Sequence, residues 1–339
     1  MTTFNRRQTL ALMGAAAASG LAAPAIASGK KPVVGAMSLA SHSGSFLAVE
    51  RGYFKDAGLD VELKFFEAAQ PMAVAIASGD VDFGVTAISG GLLSLAQKGA
   101  VKVIGGALSE EKGIDGQKIL ASDVAFQAGL TAPEGLDGKR FGMTTAGSSF
   151  HYMGAKVAAA SGGTPQFVPL QKVGAVIGAL KSGQIDAWSI VPHIAKPLAA
   201  SGEVHIIGDV ADYIPDYQVT TVFTSSKNAS DERALVESFL KGFGMGVADY
   251  NATMVDKQNG EEAINEMVAL IHKYVYTDRP LDKAAPSIIA GSMRLNKDAA
   301  INVASIADQL AWMQGEGLVD ADITLETFLD TSYVETIGA

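Results

Sequence analysis

The most informative absence in this 339-residue chain is cysteine, which does not occur at all. Without thiols the sequence excludes disulfides, Cys-ligated zinc, iron–sulfur clusters and thiolate nucleophiles. Long apolar runs are missing as well. Although 48% of the residues are hydrophobic, no uninterrupted apolar stretch reaches the roughly 18 residues of a membrane-spanning helix. These absences fit an exported protein that needs no disulfides.

The sequence patterns of several enzyme classes are also missing. No candidate serine lies in Gly-x-Ser-x-Gly, the turn that exposes the nucleophile of serine hydrolases. Neither His-Glu-x-x-His nor a Walker A sequence is present. Gly242, Gly244 and Gly246 do not have dinucleotide-binding spacing, and they lie in a predicted helix, where glycine permits close helix packing. We therefore predict a protein that is not an enzyme, with no cofactor and no metal site.

Basic residues are outnumbered by acidic ones. The chain has 26 Lys and Arg against 36 Asp and Glu, for a formal net charge of −10. Nucleic-acid binding needs a basic surface that neutralises phosphates. The charge balance therefore predicts no nucleic-acid partner.

The first 27 residues have the pattern of an export signal. Arg6 and Arg7 precede a weakly apolar, alanine-rich stretch, and Ala25-Ile26-Ala27 offers the small residues that signal peptidase accepts. Cleavage after Ala27 would leave 24 basic and 36 acidic residues and a formal charge of −12. Paired arginines are typical of a twin-arginine signal; an ordinary Sec leader is the alternative. Either route predicts export to the periplasm.

A short sequence motif occurs twice in the chain. Ser78-Gly79-Asp80-Val81-Asp82 recurs as Ser182-Gly183-Gln184-Ile185-Asp186, each after an alanine-rich helical run. The same offset aligns Gly44-Ser45-Phe46 with Ser148-Ser149-Phe150. The repeat predicts two similar α/β halves and a ligand-binding cleft between them.

Alternating short strands and helices predict an α/β fold with two lobes, each built on a mostly parallel sheet. Two chain crossings, near Leu120–Ser122 and Val222–Ser225, would form a hinge. From the predicted N-cap at Ser230 onward the pattern is helical, and these C-terminal helices are expected to pack on lobe one. The expected divisions are a signal peptide at 1–27, the first part of lobe one at 28–120, lobe two at 121–222, and the return to lobe one with the C-terminal helices at 223–339.

Small hydroxyl residues at predicted helix starts are the best candidates for ligand binding. In Gly147-Ser148-Ser149-Phe150 the first backbone N–H groups of a helix would be unpaired, with the positive end of the helix dipole behind them. Such a terminus binds an anion without any Arg or Lys. Ser43-Gly44-Ser45 is predicted to supply the same arrangement from the opposite lobe. The alternative is that these serines only cap their own helices.

Several other residues are expected near the cleft. The segment Thr86-Ala87-Ile88-Ser89 follows a predicted strand, at the edge where open α/β sheets bind ligands. Trp188 occupies the corresponding place in the second half, either as core or as an apolar wall. His42 and Gln70 are candidate polar contacts.

Two pairs of residues are given less weight. His151 and His193 are weaker candidates, because a lone histidine is more often structural or solvated. Asp82 and Asp186 occupy equivalent places in the two halves, so we interpret them as structural caps rather than an acid/base pair.

These motifs together resemble those of ABC-importer solute-binding proteins. The branch is the one that contains sulfonate-, taurine- and nitrate-binding proteins and binders of the thiamine pyrimidine precursor. The resemblance covers nearly all of the mature chain. The segments that carry it are 48–54, 56–61, 78–84, 136–142, 183–187, 317–320 and 330–334.

The resemblance implies a bilobal periplasmic binding protein of the type II kind, which closes on a small solute and delivers it to an inner-membrane permease. We expect it to act as a monomer. Ligand contacts are implied at the first loop, before the second helix, after the Asp-Phe-Gly strand, at the lobe-two helix start and after the second repeat. Carried over to this sequence, these positions are Ser38, His42, Ser43, Gln70, Thr86, Ala87, Ser89, Ser148, Ser149, Phe150, Trp188 and Pro192.

The ligand expected from the residues is a small organic anion, a carboxylate or sulfonate, because the predicted cleft loops contain no Arg. His42, Phe150 and Trp188 could surround an aromatic or apolar body. Many relatives have an acidic residue directly before Pro192, whereas this chain has Val191, which makes a ligand amine less expected. Two other functions stay open: a sensor module that presents its ligand to a receptor, and an enzyme similar to the fungal pyrimidine synthases. The second is disfavoured because those enzymes carry a cysteine-rich motif.

Overall fold

The computed structural model describes residues 31–338. The predicted signal peptide at 1–27 and its cleavage site lie outside the described residues. None of the helices in the described part of the chain is long and apolar enough to cross a membrane.

The strands and helices alternate along most of the chain. The strands are β1 (Val33–Ala36), β2 (Glu62–Phe65), β3 (Phe83–Thr86), β4 (Val101–Ser109), β5 (Lys118–Ser122), β6 (Arg140–Met143), β7 (Gln166–Pro169), β8 (Ala187–Ile190), β9 (Val204–Asp209), β10 (Gln218–Ser225), β11 (Ile301–Asn302) and β12 (Thr336–Ile337). The helices are α1 (Ser43–Glu50), α2 (Tyr53–Asp56), α3 (Ala69–Ala77), α4 (Gly90–Gln97), α5 (Asp123–Gln127), α6 (Ser149–Ala160), α7 (Val173–Lys181), α8 (Pro192–Ala200), α9 (Ser226–Asp231), α10 (Arg233–Tyr250), α11 (Gly260–His272), α12 (Leu281–Ala290), α13 (Val303–Gly315) and α14 (Leu325–Phe328).

Two five-stranded sheets have the same topology. The first has the order β2-β1-β3-β10-β4 and the second the order β7-β6-β8-β5-β9. In each sheet the first three strands are parallel, and the fourth, which comes from a chain crossing, is antiparallel to both neighbours. We call the first sheet with α1–α4 the first lobe, and the second sheet with α5–α8 the second lobe. The predicted α/β fold with two similar halves is confirmed.

The sequence repeat corresponds to equivalent elements of the two lobes. Three pairs of elements are separated by the same 104 positions as the two copies of the motif: β2 and β7, α3 and α7, and β3 and β8. The Asp82 carboxylate accepts a hydrogen bond from the Val33 backbone N–H at 2.8 Å. Asp186 accepts the equivalent bond from Arg140 N–H, also at 2.8 Å. Each repeat aspartate therefore fastens the start of the first strand in its own lobe.

The chain crosses between the sheets twice. It leaves the first sheet after β4 and enters the second at Lys118, and it returns between Asp209 and Gln218. The boundaries expected after residues 120 and 222 therefore fall inside β5 and β10, because both strands begin to pair several residues earlier than the sequence indicates.

The C-terminal helices contact both lobes. Helices α10 and α11 pack on α1 of the first lobe, as expected, whereas α12 packs on α8 of the second. Asp308 of α13 accepts a hydrogen bond from the Tyr152 hydroxyl and pairs with Lys156 at 2.9 Å. The helix predicted from Ser230 begins at Arg233 instead, after the separate short helix α9, which Ser225 caps.

Close packing of α10 on the first lobe depends on two of its glycines. A Cβ atom at Gly246 would lie 2.2 Å from the Gly44 carbonyl oxygen, and one at Gly242 would lie 2.6 Å from the Phe54 ring. The Phe239 ring of the same helix stacks on Phe83 of β3, with ring centroids 4.1 Å apart. This packing fixes β3, whose carboxyl end leads to the cleft.

Candidate functional site

A cavity lies between the lobes, at the edge where β1, β3, β6 and β8 end. Its volume is about 60 Å³. It is small beside the roughly 150 Å³ of an engineered protein cavity that binds benzene. Both lobes contribute to the wall, together with Gln117 of the first crossing and the strands β4 and β10 that flank the crossings. The lining residues are Met37, Leu39, Ser41, His42, Ala68, Ala69, Thr86, Ala87, Leu108, Gln117, Thr144, Ser148, Ser149, Phe150, Val173, Ile190, Val191, Val219 and Thr220.

The amino terminus of α6 faces this cavity. Ser148 is the N-cap, and its hydroxyl accepts the His151 backbone N–H at 3.4 Å. The N–H groups of Ser149 and Phe150 belong to the first turn, where helix geometry provides no backbone acceptor. Both residues line the cavity. The helix therefore presents free donors and the positive end of its dipole to the cleft.

The matching helix start in the first lobe is arranged differently. A 3₁₀ turn at Ala40–His42 precedes α1 and moves its first residues away from the cavity. Ser43 and Ser45 are fully buried, and the Ser43 hydroxyl donates to the Ala40 carbonyl at 2.7 Å. Ser41 and His42 line the cavity in their place. Of the two helix starts expected at the cleft, only that of α6 lines the cavity.

Two histidines meet where the first loop of the first lobe contacts α8. The Nδ1 atom of His42 accepts the Met37 N–H at 3.3 Å, and the Nε2 atom of His193 accepts the Ala40 N–H at 3.4 Å. Burial lowers the pKa of His42 to about 4. Burial, together with nearby His42, lowers the pKa of His193 to about 3. Both rings are therefore neutral at neutral pH.

The cavity wall carries no formal charge. Among the described residues that line it, none is Lys, Arg, Asp or Glu, and His42 is neutral. Across residues 31–338, no group of three or more His, Asp or Glu side chains is placed to hold a metal ion. The positive end of α6 is therefore the main electrostatic feature of the cavity.

Three contacts join the lobes around the cleft. The Gly90 N–H donates to the Gly147 carbonyl at 3.1 Å, and the Ala40–His193 bond makes a second contact. Lys172 pairs with Glu67 at 3.4 Å near the mouth of the cleft. The structure thus has its cleft closed.

Half of the twelve residues predicted from the sequence line the cavity. These are His42, Thr86, Ala87, Ser148, Ser149 and Phe150. Ser38 is exposed and lines a neighbouring pocket at the cleft mouth. The Ser89 hydroxyl caps α4 by accepting the Leu92 N–H at 3.2 Å, and the Gln70 amide packs against Gly91. Ser43 bonds to its own turn, as described above.

Trp188 and Pro192 lie behind the cavity wall. Trp188 is fully buried, and its ring lies 5.3 Å from that of Phe150, so it supports a lining residue without reaching the cavity. Pro192 is the buried first residue of α8. The residues before that helix, Ile190 and Val191, line the cavity instead.

The sequence-based prediction missed the wall formed by the chain crossings. Leu108, Gln117, Val219 and Thr220 belong to this wall, which is built from β4, β10 and the residue before β5. None of them lies in a repeated motif, because the crossing strands are what differs between the two halves. The short apolar runs on either side of the crossings are the only local signal.

The fold is that of periplasmic binding proteins. The ligand-binding component of an ABC-type import system from Staphylococcus aureus, with zinc bound, has a TM-score of 0.69 at 14% identity, over 91% of this chain and 99% of that one. The alkanesulfonate-binding protein SsuA from Xanthomonas axonopodis pv. citri, bound to MOPS, has a TM-score of 0.68 at 15% identity, over 89% of this chain and 98% of that one. The desulfurization enzyme DSZB has a TM-score of 0.58 at 16% identity, over 89% of this chain and 96% of that one. At these identities the likeness establishes the fold.

The NMT1/THI5-like family model matches residues 40–253, more than half of the chain. This protein therefore belongs to the NMT1/THI5-like family, which confirms the resemblance noted in the sequence. No curated protein sequence matches it.

Proposed function

We propose that this protein is the solute-binding component of an ABC importer, which captures a small organic anion between its lobes and delivers it to a permease. The observation that carries the proposal is the amino terminus of α6 in a closed, uncharged cavity. A buried anion without a partner is strongly disfavoured, and here the unpaired N–H groups of Ser149 and Phe150 and the helix dipole stabilise it. Export to the periplasm, a monomeric state and the permease partner belong to the same proposal.

The remaining walls favour a short apolar body on the ligand. Met37, Leu108, Val191 and Val219 supply apolar surface, and the cavity is smaller than the roughly 150 Å³ of an engineered cavity that binds benzene. A short-chain carboxylate or sulfonate fits this volume. An aromatic body, one of the possibilities considered from the sequence, would require the lobes to open further, and Trp188 lies too deep to contact it.

Ligand capture requires the cleft to open and close. We place the hinge at the two crossings, residues 110–117 and 210–217, where the chain passes between the sheets. Hinge closure around a ligand is common in binding proteins of two lobes. The weak contacts between Gly90 and Gly147 and between Ala40 and His193 would break on opening.

The experiment that tests this function is a thermal-shift screen. Short carboxylates, alkanesulfonates, taurine, aromatic carboxylates and pyrimidines are compared with sugars and cationic amines. A ligand that binds only the folded state raises Tm by mass action. We expect stabilisation by one or more anions, and stabilisation by sugars or cations alone would contradict the proposal.

The likeness to DSZB makes an enzyme the second candidate. Hydrolytic or group-transfer chemistry needs a nucleophile next to a base. One of the several hydroxyls that line the cavity, that of Ser148, is engaged in capping α6. His42 Nδ1 is likewise engaged by the Met37 N–H. We favour binding over catalysis on these grounds. A sensor that presents the same ligand to a receptor would share this site, and permease and ATPase genes beside this one would favour import.

A further inference from the structure

The hinge side of the cavity contains two buried side chains with unused hydrogen-bonding capacity. Gln117 is 2% exposed and Thr220 is 8% exposed. The Thr220 Oγ1 forms no hydrogen bond in the described structure. The Gln117 Nε2 lies close enough to the Glu110 carboxylate to lower the pKa of that group, but an amide nitrogen carries two N–H donors, and this contact uses at most one of them. Both residues line the cavity. A buried hydroxyl and a buried amide that line the same cavity can both pair with a polar group of a ligand, which would satisfy them.

The backbone holds Gln117 rigidly in this position. Its N–H donates to Glu110 Oε1 at 3.1 Å, and its carbonyl accepts the Val210 N–H at 2.9 Å. Burial raises the pKa of Glu110 to about 7, although the bonds from Gln117 oppose the rise. The Gln117 side chain is therefore positioned by both crossings at once, since residues 110 and 210 belong to different crossings.

The sheet order sets the distance between this wall and α6. β8 lies between β6 and β5, and neighbouring strands are about 4.8 Å apart, so β5 and β6 are separated by about 10 Å. Lys118, directly after Gln117, pairs with Ile190 at the end of β8. Gln117 therefore lies at the same sheet edge as α6, two strands away along the cleft.

We propose that Gln117 and Thr220 form a second recognition point, which binds a hydroxyl group of the ligand. This inference rests on the proposed function and names its ligand class: a short hydroxy acid, with its anionic group at the start of α6 and its hydroxyl at the hinge wall. A hydroxyl can accept a hydrogen bond from Gln117 Nε2 and donate one to Thr220 Oγ1. The apolar residues between the two points contact the carbon chain.

Gln117 and Thr220 would also make closure of the cleft depend on which ligand is bound. Gln117 precedes the second sheet, whereas Thr220 lies on β10 of the first sheet. A hydroxyl held by both therefore bridges the lobes at the hinge, while the anion is held at α6. An unsubstituted acid of the same length makes only the contact at α6.

The test compares butyrate with 4-hydroxybutyrate by calorimetric titration of the whole mature protein. The wild-type protein is expected to bind 4-hydroxybutyrate about tenfold more tightly, since one or two added neutral hydrogen bonds have this effect. Gln117→Leu and Thr220→Val are each expected to reduce this ratio to about one. The exposed Gln127→Leu variant on α5 is the control, and its ratio should equal that of the wild type.

A second measurement separates ligand recognition from folding. Because Thr220→Val removes a buried hydroxyl that has no partner in the described structure, its Tm without ligand is expected to stay the same or rise. Gln117→Leu also removes the contact with Glu110, so a modest fall in Tm is expected for that variant. Wild-type binding of both acids with equal affinity, or a ratio that persists in both variants, would overturn the inference and leave the proposed function intact. If neither acid binds but another anion does, the ligand class is wrong. If no anion binds at all, the proposed function fails with it.

Discussion

The backbone N–H of Gly90 donates a hydrogen bond to the carbonyl oxygen of Gly147 at 3.1 Å, from one lobe to the other. Gly90 begins α4, and Gly147 directly precedes the N-cap of α6. The same Gly147 donates its N–H to Nδ1 of His151 at 3.1 Å. The loop that presents the proposed anion site is therefore also the loop that closes the cleft.

Substitution of Gly147 is predicted to weaken ligand binding by obstructing closure. Its φ is +70°, and a Cβ atom there would lie 3.1 Å from the Gly90 nitrogen. Gly147→Ala should lower affinity about tenfold or more in a calorimetric titration. Gly162→Ala is the matched control, because Gly162 has φ +76° at the other end of α6 with no atom near its Cβ. Both variants carry a similar backbone strain of about 1 kcal/mol, so equal affinities in the two would contradict the prediction.

A large side chain at Ser149 is predicted to abolish binding while the protein still folds. Ser149 lines the cavity in the first turn of α6, so Ser149→Leu would occupy the space of the anion. Adding Ser148→Leu would also remove the N-cap, which costs about 1 kcal/mol of helix stability. Ala159→Leu, on an exposed position of the same helix, controls for the added side chain. Unchanged affinity in Ser149→Leu would show that the anion binds elsewhere.

Acidification is predicted to weaken binding through His42 and His193. Burial lowers the pKa of both below the ordinary 6.5, so the closed state binds fewer protons than an open state in which the rings are hydrated. Closed-state stability is therefore fully present above pH 6.5 and declines as the pH falls towards 4. We expect affinity to fall about tenfold or more between pH 7 and pH 5, since each unit of pKa difference corresponds to about 1.4 kcal/mol.

The role of the two histidines in this pH dependence can be tested with substitutions that keep their hydrogen bonds but cannot be protonated near neutral pH. Gln at position 193 can accept the Ala40 N–H as Nε2 of His193 does, and Asn at position 42 can replace Nδ1 of His42. His42→Asn combined with His193→Gln should therefore bind with much less dependence on pH. A pH profile identical to that of the wild type would assign the effect to other groups.

Loss of the Asp186 carboxylate is predicted to reduce stability. Burial raises the pKa of Asp186, but the hydrogen bonds and charge of Arg140 lower it overall. Arg140 binds this carboxylate through its side chain at 2.6 Å as well as through its N–H. Asp186→Ala should lower the free energy of unfolding in urea by about 1–3 kcal/mol, and acid below the ordinary carboxyl pKa should remove the same stabilisation in the wild type. A large loss of affinity with unchanged stability would contradict this structural role.

The two lobes could be predicted from the sequence repeat. The full cavity wall could not, because part of it is formed by residues that lie in no repeated motif. Ser148, Thr86 and His42 lie at strand or helix ends, and their place at the sheet edge follows from the order of elements. Gln117 and Thr220 could not be found this way, because their position depends on which strand of each sheet the crossing chain enters. Ser43 was expected at the cavity by analogy with Ser148, but the 3₁₀ turn before α1 gives that loop a different path.

A crystal structure of the protein with the anion that gives the largest thermal shift would show whether the anion binds at the start of α6. We predict that the anionic group lies between the lobes, with its oxygen atoms about 2.7–3.2 Å from the backbone nitrogens of Ser149 and Phe150. An anionic group bound elsewhere, for example beside Arg294 in the separate pocket near the C-terminus, would contradict it.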